Sequence, residues 1–400
     1  MNSKRLLILG AGRGQLGLYQ AASEMGVTTI AGTLPDNNPP CIDLADEVCY
    51  MDISNPDDVL LKAKSLNIDG VATCCFDTGM TSLGRVCDEL ELIGVSEKTA
   101  IMCNDKSKMK KAFKDNDVLT AKYFEICSHE DLDEALAKMK FPVVVKATDL
   151  QGSSGIYISD NNLEAHDSLE SVMEVTKRNY CIVEEYIDGL EFGAQAFVYN
   201  NEVLFVMPHG DETYMSHTSV PVGHYVPLNC NDDVLKQVEA MVRKAIKALD
   251  LNNCAVNVDL ILKDGKVYII ELTGRVGANC LPELVQINFG IEYYKMIVSM
   301  AIGKNPMVYW DERCSATKSG IAKMLLSESK CGILSSDMKY IGEKDDDIVQ
   351  IKFFKHKGDK IRIFEDSNDC LGQVVVEGNS YEECNKKLKY VFDNIEYNVN

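Results

Sequence analysis

The sequence predicts a mixed α/β and α+β chain of three units, and three observations carry that prediction. Through roughly the first hundred residues, short apolar runs alternate with helical stretches, the pattern of a parallel sheet covered by helices. After that, β-rich runs are joined by tight turns, an antiparallel texture. From about Ser319 onward, short alternating segments end in a helix over Tyr381–Phe392. The boundaries implied are 1–100, 101–305 and 306–400.

In the first unit, Leu6–Leu9 reads as a buried strand and Gln15–Met25 as a helix begun at glycines. Val27–Ala31 reads as a second strand, Pro56–Leu66 as a helix and Gly70–Cys75 as a third strand. Helical Ser96–Cys103 and Asp105–Asn116 follow. In the middle unit, Pro142–Ala147 is a strand, Gln151–Gly155 a small-residue turn and Ile156–Ser159 a strand. A helix over Leu163–Thr176 leads to a strand over Tyr180–Tyr186. Glu191–Tyr199 and Glu202–Met207 form a hairpin turning at Asn200-Asn201. Ala255–Leu262 and Val267–Leu272 form another around Lys263-Asp264-Gly265-Lys266, after an amphipathic helix over Asp232–Leu249. In the last unit Ile348–Phe354, Lys360–Ile363 and Gly372–Glu377 alternate apolar and polar residues.

The formal net charge is −20, from 61 acidic against 41 basic residues, so the surface repels phosphate backbones and anionic lipid. Neither nucleic acid nor membrane is therefore expected as a partner. The 15 cysteines contain no C-x-x-C and are scattered through apolar segments, as in a reducing compartment. No apolar run approaches the roughly 20 residues of a membrane span. The expected location is cytoplasmic.

Within "LLILGAGRGQLG", Gly12, Gly14 and Gly17 spell G-x-G-x-x-G. A strand, glycines and a helix aim backbone N–H groups at an anion above the strand. A nicotinamide site also needs an acid about 20 residues on, at the end of the second strand. Here that strand ends Ile30-Ala31-Gly32-Thr33 and the first acid is Asp36, beyond a proline. A dinucleotide site, a structural turn and an anionic-substrate turn all remain open readings of these glycines.

The chemistry concentrates further on. "NDKSKMKKAF" places Lys106 at a helix start, and "FPVVVKATDLQGSSGI" ends a strand at Lys146 before the loop Gln151, Gly152, Ser153, Ser154, Gly155. "CIVEEYIDGLEFG" carries Glu184, Glu185 and Glu191, while "NVDLIL" and "VYIIELTGRVGANCLPEL" put Asp259 and Glu271 on adjacent strands. Arg275 follows four residues after Glu271. Two lysines and a glycine/serine loop can neutralise and cover a triphosphate. Two carboxylates facing across a hairpin suit Mg²⁺, a hard ion that takes oxygen ligands. An arginine beside them can stabilise a transferring phosphoryl group. The plainer readings are a strand-end surface lysine at Lys146 and solvated edge-strand acids at Glu184-Glu185. Acids at 259 and 271, set among apolar residues, are costly to bury without partners.

In that order, these motifs resemble the ATP-grasp superfamily, in its carboxylate–amine ligase branch, over nearly the whole chain. "GIAKMLLSESKCGIL" and "DCLGQVVVEGNSYEEC" resemble the carboxy-terminal domain of L-amino-acid ligases. The resemblance implies an ATP-grasp fold with an amino-terminal Rossmann-like domain, a lid over roughly 117–186 within the nucleotide-binding domain, and a small carboxy-terminal domain. Lys106 and Lys146 are then expected on ATP phosphates, with 151–155 as the phosphate lid. Glu184, Glu185 and Ile187 are expected to line the adenine, and Glu191 to bind ribose. Asp259 and Glu271 are expected to bind Mg²⁺, with Mn²⁺ as the alternative ion, and Arg275 to hold an acyl phosphate. The implied reaction phosphorylates a small-molecule carboxylate with ATP and lets an amine displace the phosphate, giving an amide. A homodimer is a candidate assembly.

Three positions depart from the family pattern: Thr273 where asparagine is frequent, Gly277-Ala278-Asn279 where a glycine pair is frequent, and Pro221 where an acid precedes the pocket histidine by three. His224 is the histidine of that pocket and Asn279 a further substrate residue. Open alternatives are an ATP-grasp carboxylase of purine or biotin type, an NAD(P)-dependent oxidoreductase, and a non-catalytic nucleotide-binding module.

Overall fold

The computed structural model describes residues 3–35, 39–152, 154–215, 219–310, 318–365 and 369–400. It divides into two compact units. One comprises Met1–Val206, Cys230–Val276 and Ile297–Pro306; the other comprises Met207–Asn229, Gly277–Met296 and Met307–Asn400.

The first unit begins with a parallel sheet of Glu47–Tyr50, Thr28–Thr33, Arg5–Leu9 and Gly70–Ala72, in that order. Leu6, Leu7, Ile8 and Leu9 are wholly buried, as a strand covered on both faces requires. The glycine turn packs tightly against the loop after the last of these strands. Gln15 accepts from Gly12 N–H at 2.9 Å and donates to the Cys74 carbonyl at 2.6 Å. A Cβ on Gly14 would lie 2.7 Å from that of Cys75, so glycine is needed there for close approach. These glycines thus spend at least part of their donor capacity within the fold. Asp36, the first acid after the second strand, lies outside the described residues.

Next comes an antiparallel sheet in the order Tyr123–Ile126, Cys181–Glu185, Val143–Lys146, Ile156–Ser159. The helices His129–Leu136 and Asn162–Val175 bury Leu132, Leu136, Leu169 and Val172 against Val143, Val145 and Val183. Then Leu190–Tyr199 pairs with Cys254–Lys263, which turns through Asp264-Gly265 into Lys266–Thr273. Both turn residues have positive φ, the conformation of a two-residue hairpin turn. Asn200 and Asn201 do the same for the earlier hairpin. Its second strand runs Glu202–Met215, well beyond the Met207 expected from sequence. The helix Asp232–Ala248 is capped by Asn231, which accepts from Val234 N–H.

In the second unit, Ser219–Val226 pairs with the end of the long strand and with Ser319–Leu325. Gly372–Gly378 and Ile348–Phe353 follow outward, all antiparallel. The helix Tyr381–Asp393 closes a core of Ile321, Val374, Val376, Leu388 and Val391. The helices Met80–Leu90 and Leu281–Phe289 and the strand Ser219–Val226 have no counterpart in the sequence reading. Each carries glycine, proline or mixed polarity that blurs its period. Among the described residues no helix is long and apolar enough to cross a membrane.

Candidate active site

The site of the first unit starts with a helix cap. Asp105 accepts from the Ser107 and Lys108 backbone, which makes Lys106 the first residue of the helix Lys106–Asp115. Asp105 is fully buried and is itself held by Tyr180 at 2.6 Å and Arg178 at 3.2 Å. From this fixed start Lys106 donates to the Leu150 carbonyl at 2.8 Å and lies 3.1 Å from Glu271 Oε2. One turn on, Lys110 lies on the same helix face and reaches Glu184 Oε2 at 2.7 Å.

Glu184 stands on an interior strand, in register with Val144, so Lys146 two residues along is its diagonal neighbour. Lys146 pairs directly with the other carboxylate oxygen. The reading of Lys146 as a surface lysine therefore gives way, and so does that of Glu184 as a solvated acid, since both are buried, whereas Glu185 is exposed. Burial on its own would raise the Glu184 carboxyl, but Lys110 and Lys146 more than offset it and bring it to about 2. Lys110 escaped the sequence reading because it sits in a lysine-rich run; its helical spacing from Lys106 is the signal that finds it.

The acids of the hairpin are in direct register, Asp259 opposite Glu271 and Asn257 opposite Thr273, with a bulge just after Asp259. On the other side of the same strand, Gly193 stands opposite Asp259 and Gln195 opposite Asn257. One face thus carries a polar row, in which Gln195 donates to Asn257 at 2.7 Å and Asn257 to Asp259 at 3.1 Å. Burial would raise the Glu271 carboxyl too, yet Lys106, Lys146 and Arg275 hold it below the ordinary glutamate range. Arg275 forms a two-pronged pair with Asp77, Nε to Oδ1 at 2.8 Å and Nη2 to Oδ2 at 2.5 Å. Burial opposes the charged guanidinium, but Asp77 keeps it charged well above its ordinary value. The loop bearing Asp77 is stapled alongside by Cys75 N–H to the Val276 carbonyl at 3.2 Å.

Lys106, Lys146, Glu184, Asp259, Glu271 and Arg275 therefore belong to one unit and are linked by charge contacts or strand register. The remaining expected residues are placed as follows. Gln151, Gly152 and Ser154 form an exposed turn, with Gly152 and Gly155 at positive φ; Ser153 lies outside the described residues. Glu185 is exposed and its N–H is taken by the Lys122 carbonyl; Ile187 is half-buried. Glu191 is exposed on the same strand face as Gly193. His224 and Asn279 belong to the second unit, where Asn279 has positive φ just ahead of the helix Leu281–Phe289. His224 stands opposite Asp211 and bonds it at 2.6 Å, so an acid reaches this histidine from the neighbouring strand although Pro221 holds the expected place.

Residues 104–279 match the family model described as phosphoribosylglycinamide synthetase, ATP-grasp (A) domain, and 343–400 match L-amino acid ligase C-terminal domain 2. A crystal structure of phosphoribosylglycinamide synthetase from Anaerococcus prevotii is 59% identical, with a TM-score of 0.89 and complete coverage of both chains. The chain belongs to the ATP-grasp superfamily. Its branch is that of the carboxylate–amine ligases. A crystal structure of L-amino acid ligase from Bacillus licheniformis shares the fold, with a TM-score of 0.83 at 18% identity over the whole of both chains. Alanine–anticapsin ligase of Bacillus subtilis is 25% identical over 247 residues, 56% of this chain and 52% of the relative. The large chain of carbamoyl phosphate synthase from Caldanaerobacter subterraneus is 24% identical over 54% of this chain and 20% of the relative. The chain thus spans about half or less of these two curated relatives.

Two buried hydroxyls test whether the ATP-grasp donor set fits a nucleotide and metal. Thr148 Oγ1, two residues after Lys146, and Thr273 Oγ1, two after Glu271, are buried with no hydrogen-bond partner among the described residues. An orphaned buried hydroxyl is costly in a closed fold and is relieved by an added polar group. Together with two all-oxygen acids in register, the residues fit a phosphate-bound hard cation.

Proposed function

We propose that this chain is an ATP- and Mg²⁺-dependent ligase that joins a small carboxylate to an amine. The observation carrying this reading is the cross-strand pair Asp259–Glu271, two acids in register within an apolar hairpin, with Lys106 on one of them. Asp259 and Glu271 would hold the ion, Mg²⁺ or Mn²⁺, which when bound neutralises phosphate charge. Lys106 and Lys146 exchange their carboxylate partners for phosphate oxygens, and residues 151–155 cover them. Glu184, Glu185 and Ile187 line the adenine edge, and Glu191 takes the ribose hydroxyls. Arg275, aimed by Asp77, steadies the phosphoryl group as the substrate carboxylate attacks the terminal phosphorus and the bond to ADP breaks. The amine then attacks the acyl carbon, the bond from that carbon to the phosphate oxygen breaks, phosphate leaves with the oxygen and its electron pair, and the nitrogen loses a proton. His224 and Asn279 contribute to substrate binding.

The carboxylate is read as that of an amino acid. A match to an L-amino acid ligase domain and a 59%-identical structure of a glycinamide synthetase both concern amides of amino acids. The second reading, favoured by that identity, is an amine partner carrying a ribose phosphate. Phosphate release across a matrix of amino acids and amines, with product masses, separates the two. Hydroxylamine should trap the activated acid as a hydroxamate only when ATP is present; its absence with every acid would remove the acyl-phosphate route. Homodimer formation, and a cytoplasmic location, complete the proposal.

A further inference from the structure

The second unit contains a group of three side chains of which the proposed ligase reaction uses only His224, as a substrate contact. His209 and Asp211 are two residues apart on one strand and so share a face; His224 stands directly opposite Asp211 on the next strand. His209 Nδ1 is 2.8 Å and His224 Nδ1 2.6 Å from the same oxygen, Asp211 Oδ1. The two rings are nearly perpendicular, with centroids 5.2 Å apart. His209 is 2% exposed and His224 5%. Among the described residues no lysine or arginine pairs with Asp211, so imidazoles alone meet its charge. The opposite face is closed by Tyr225, whose ring occupies the space a Cβ on Gly210 would need.

We propose that His209, Asp211 and His224 form a binding site for a divalent transition ion of the zinc class. The three ligand atoms lie within 4.8 Å of one another. Two nitrogens and one carboxylate oxygen are the donors such an ion selects, whereas Mg²⁺ favours oxygen alone. Metal–ligand lengths of about 2.0–2.1 Å in a tetrahedron separate ligands by about 3.4 Å. Each hydrogen-bonded N···O pair therefore opens by about 0.6–0.8 Å to admit the ion. Each Nδ1 gives its proton to the far ring nitrogen or to solvent as it becomes a ligand. Three protein ligands leave one position for water or a substrate atom, so the site is of the open type. This inference goes beyond the ligase reading and does not depend on it.

Full-length protein stripped with a chelator is titrated with Co²⁺, followed by its visible d–d bands, and then challenged with Zn²⁺ and with excess Mg²⁺. The expected result is one Co²⁺ per chain with intense four-coordinate bands, displaced by Zn²⁺ and unaffected by Mg²⁺. His209→Ala and Asp211→Asn should each weaken it at least ~10-fold, while Glu271→Gln keeps it. His209→Gln, which removes the imidazole at similar bulk, serves if the alanine variant fails to fold. Absence of these bands in the wild type, displacement by Mg²⁺, or unchanged binding in folded His209 variants overturns the proposal and leaves the group as a hydrogen-bonded triad.

Discussion

Lys106 Nζ lies 3.1 Å from Glu271 Oε2, so the residue proposed for phosphate and the residue proposed for metal neutralise each other. Glu271→Gln removes the proposed ion ligand and the charged partner of Lys106. Turnover should fall on the order of 100-fold or more at saturating Mg²⁺, with the circular dichroism spectrum unchanged. Normal phosphate release in that variant would sink the metal assignment.

Asp77 and Arg275 are 198 residues apart in sequence and fully matched in geometry. Asp77→Asn should lower kcat by about 10-fold or more with the KM for ATP little changed, because the arginine loses its aim. Removing one partner of a buried pair should also cost about 3 kcal/mol in urea unfolding. Asp77→Glu should recover part of both. Equal losses in the KM for ATP would argue that the pair serves nucleotide binding.

Glu184 sits between Lys110 and Lys146 with its carboxyl brought to about 2. Because the folded value is depressed, its contribution to stability is present above the unfolded glutamate value of about 4.3 and lost as pH falls towards 2. Lys110→Met should destabilise by about 3 kcal/mol at neutral pH. The variant should lose its remaining stability at a higher pH than the wild type. A matched acid transition in both would mean that Lys110 does not hold this carboxylate.

Gly155 has φ of +65°, and a Cβ there would meet Leu150 at 2.9 Å. Gly155→Ala should cost about 1 kcal/mol and raise the KM for ATP, with kcat less affected. An unchanged KM would remove the 151–155 turn from phosphate binding.

Much of the site was legible because its residues violate their surroundings. Asp259 and Glu271 are acids in apolar strands, and Lys146 ends one, so the sequence itself advertises their need for partners. The partners were harder to read. Asp77 arrives from a distant loop, and only its place after the parallel strand Gly70–Ala72 hinted at a ligand end. Gln195 and Asn257 line up with Asp259 through register, which composition does not encode. The parallel unit was readable from its alternation, whereas Met80–Leu90 hid behind a glycine and mixed polarity. The close approach that requires glycine at position 14, against Cys75, was likewise not legible in the G-x-G-x-x-G spacing.

Cysteine placement has a practical consequence. Among the described cysteines only Cys127 and Cys331 are exposed, and they belong to different units. Burial drives thiols such as Cys87 and Cys103 up to about 12, which keeps them protonated and slow to alkylate. The described residues thus offer one exposed thiol in each unit as an attachment point for a spin label or dye. A label at either one, followed with and without nucleotide, would report any local change in its own unit.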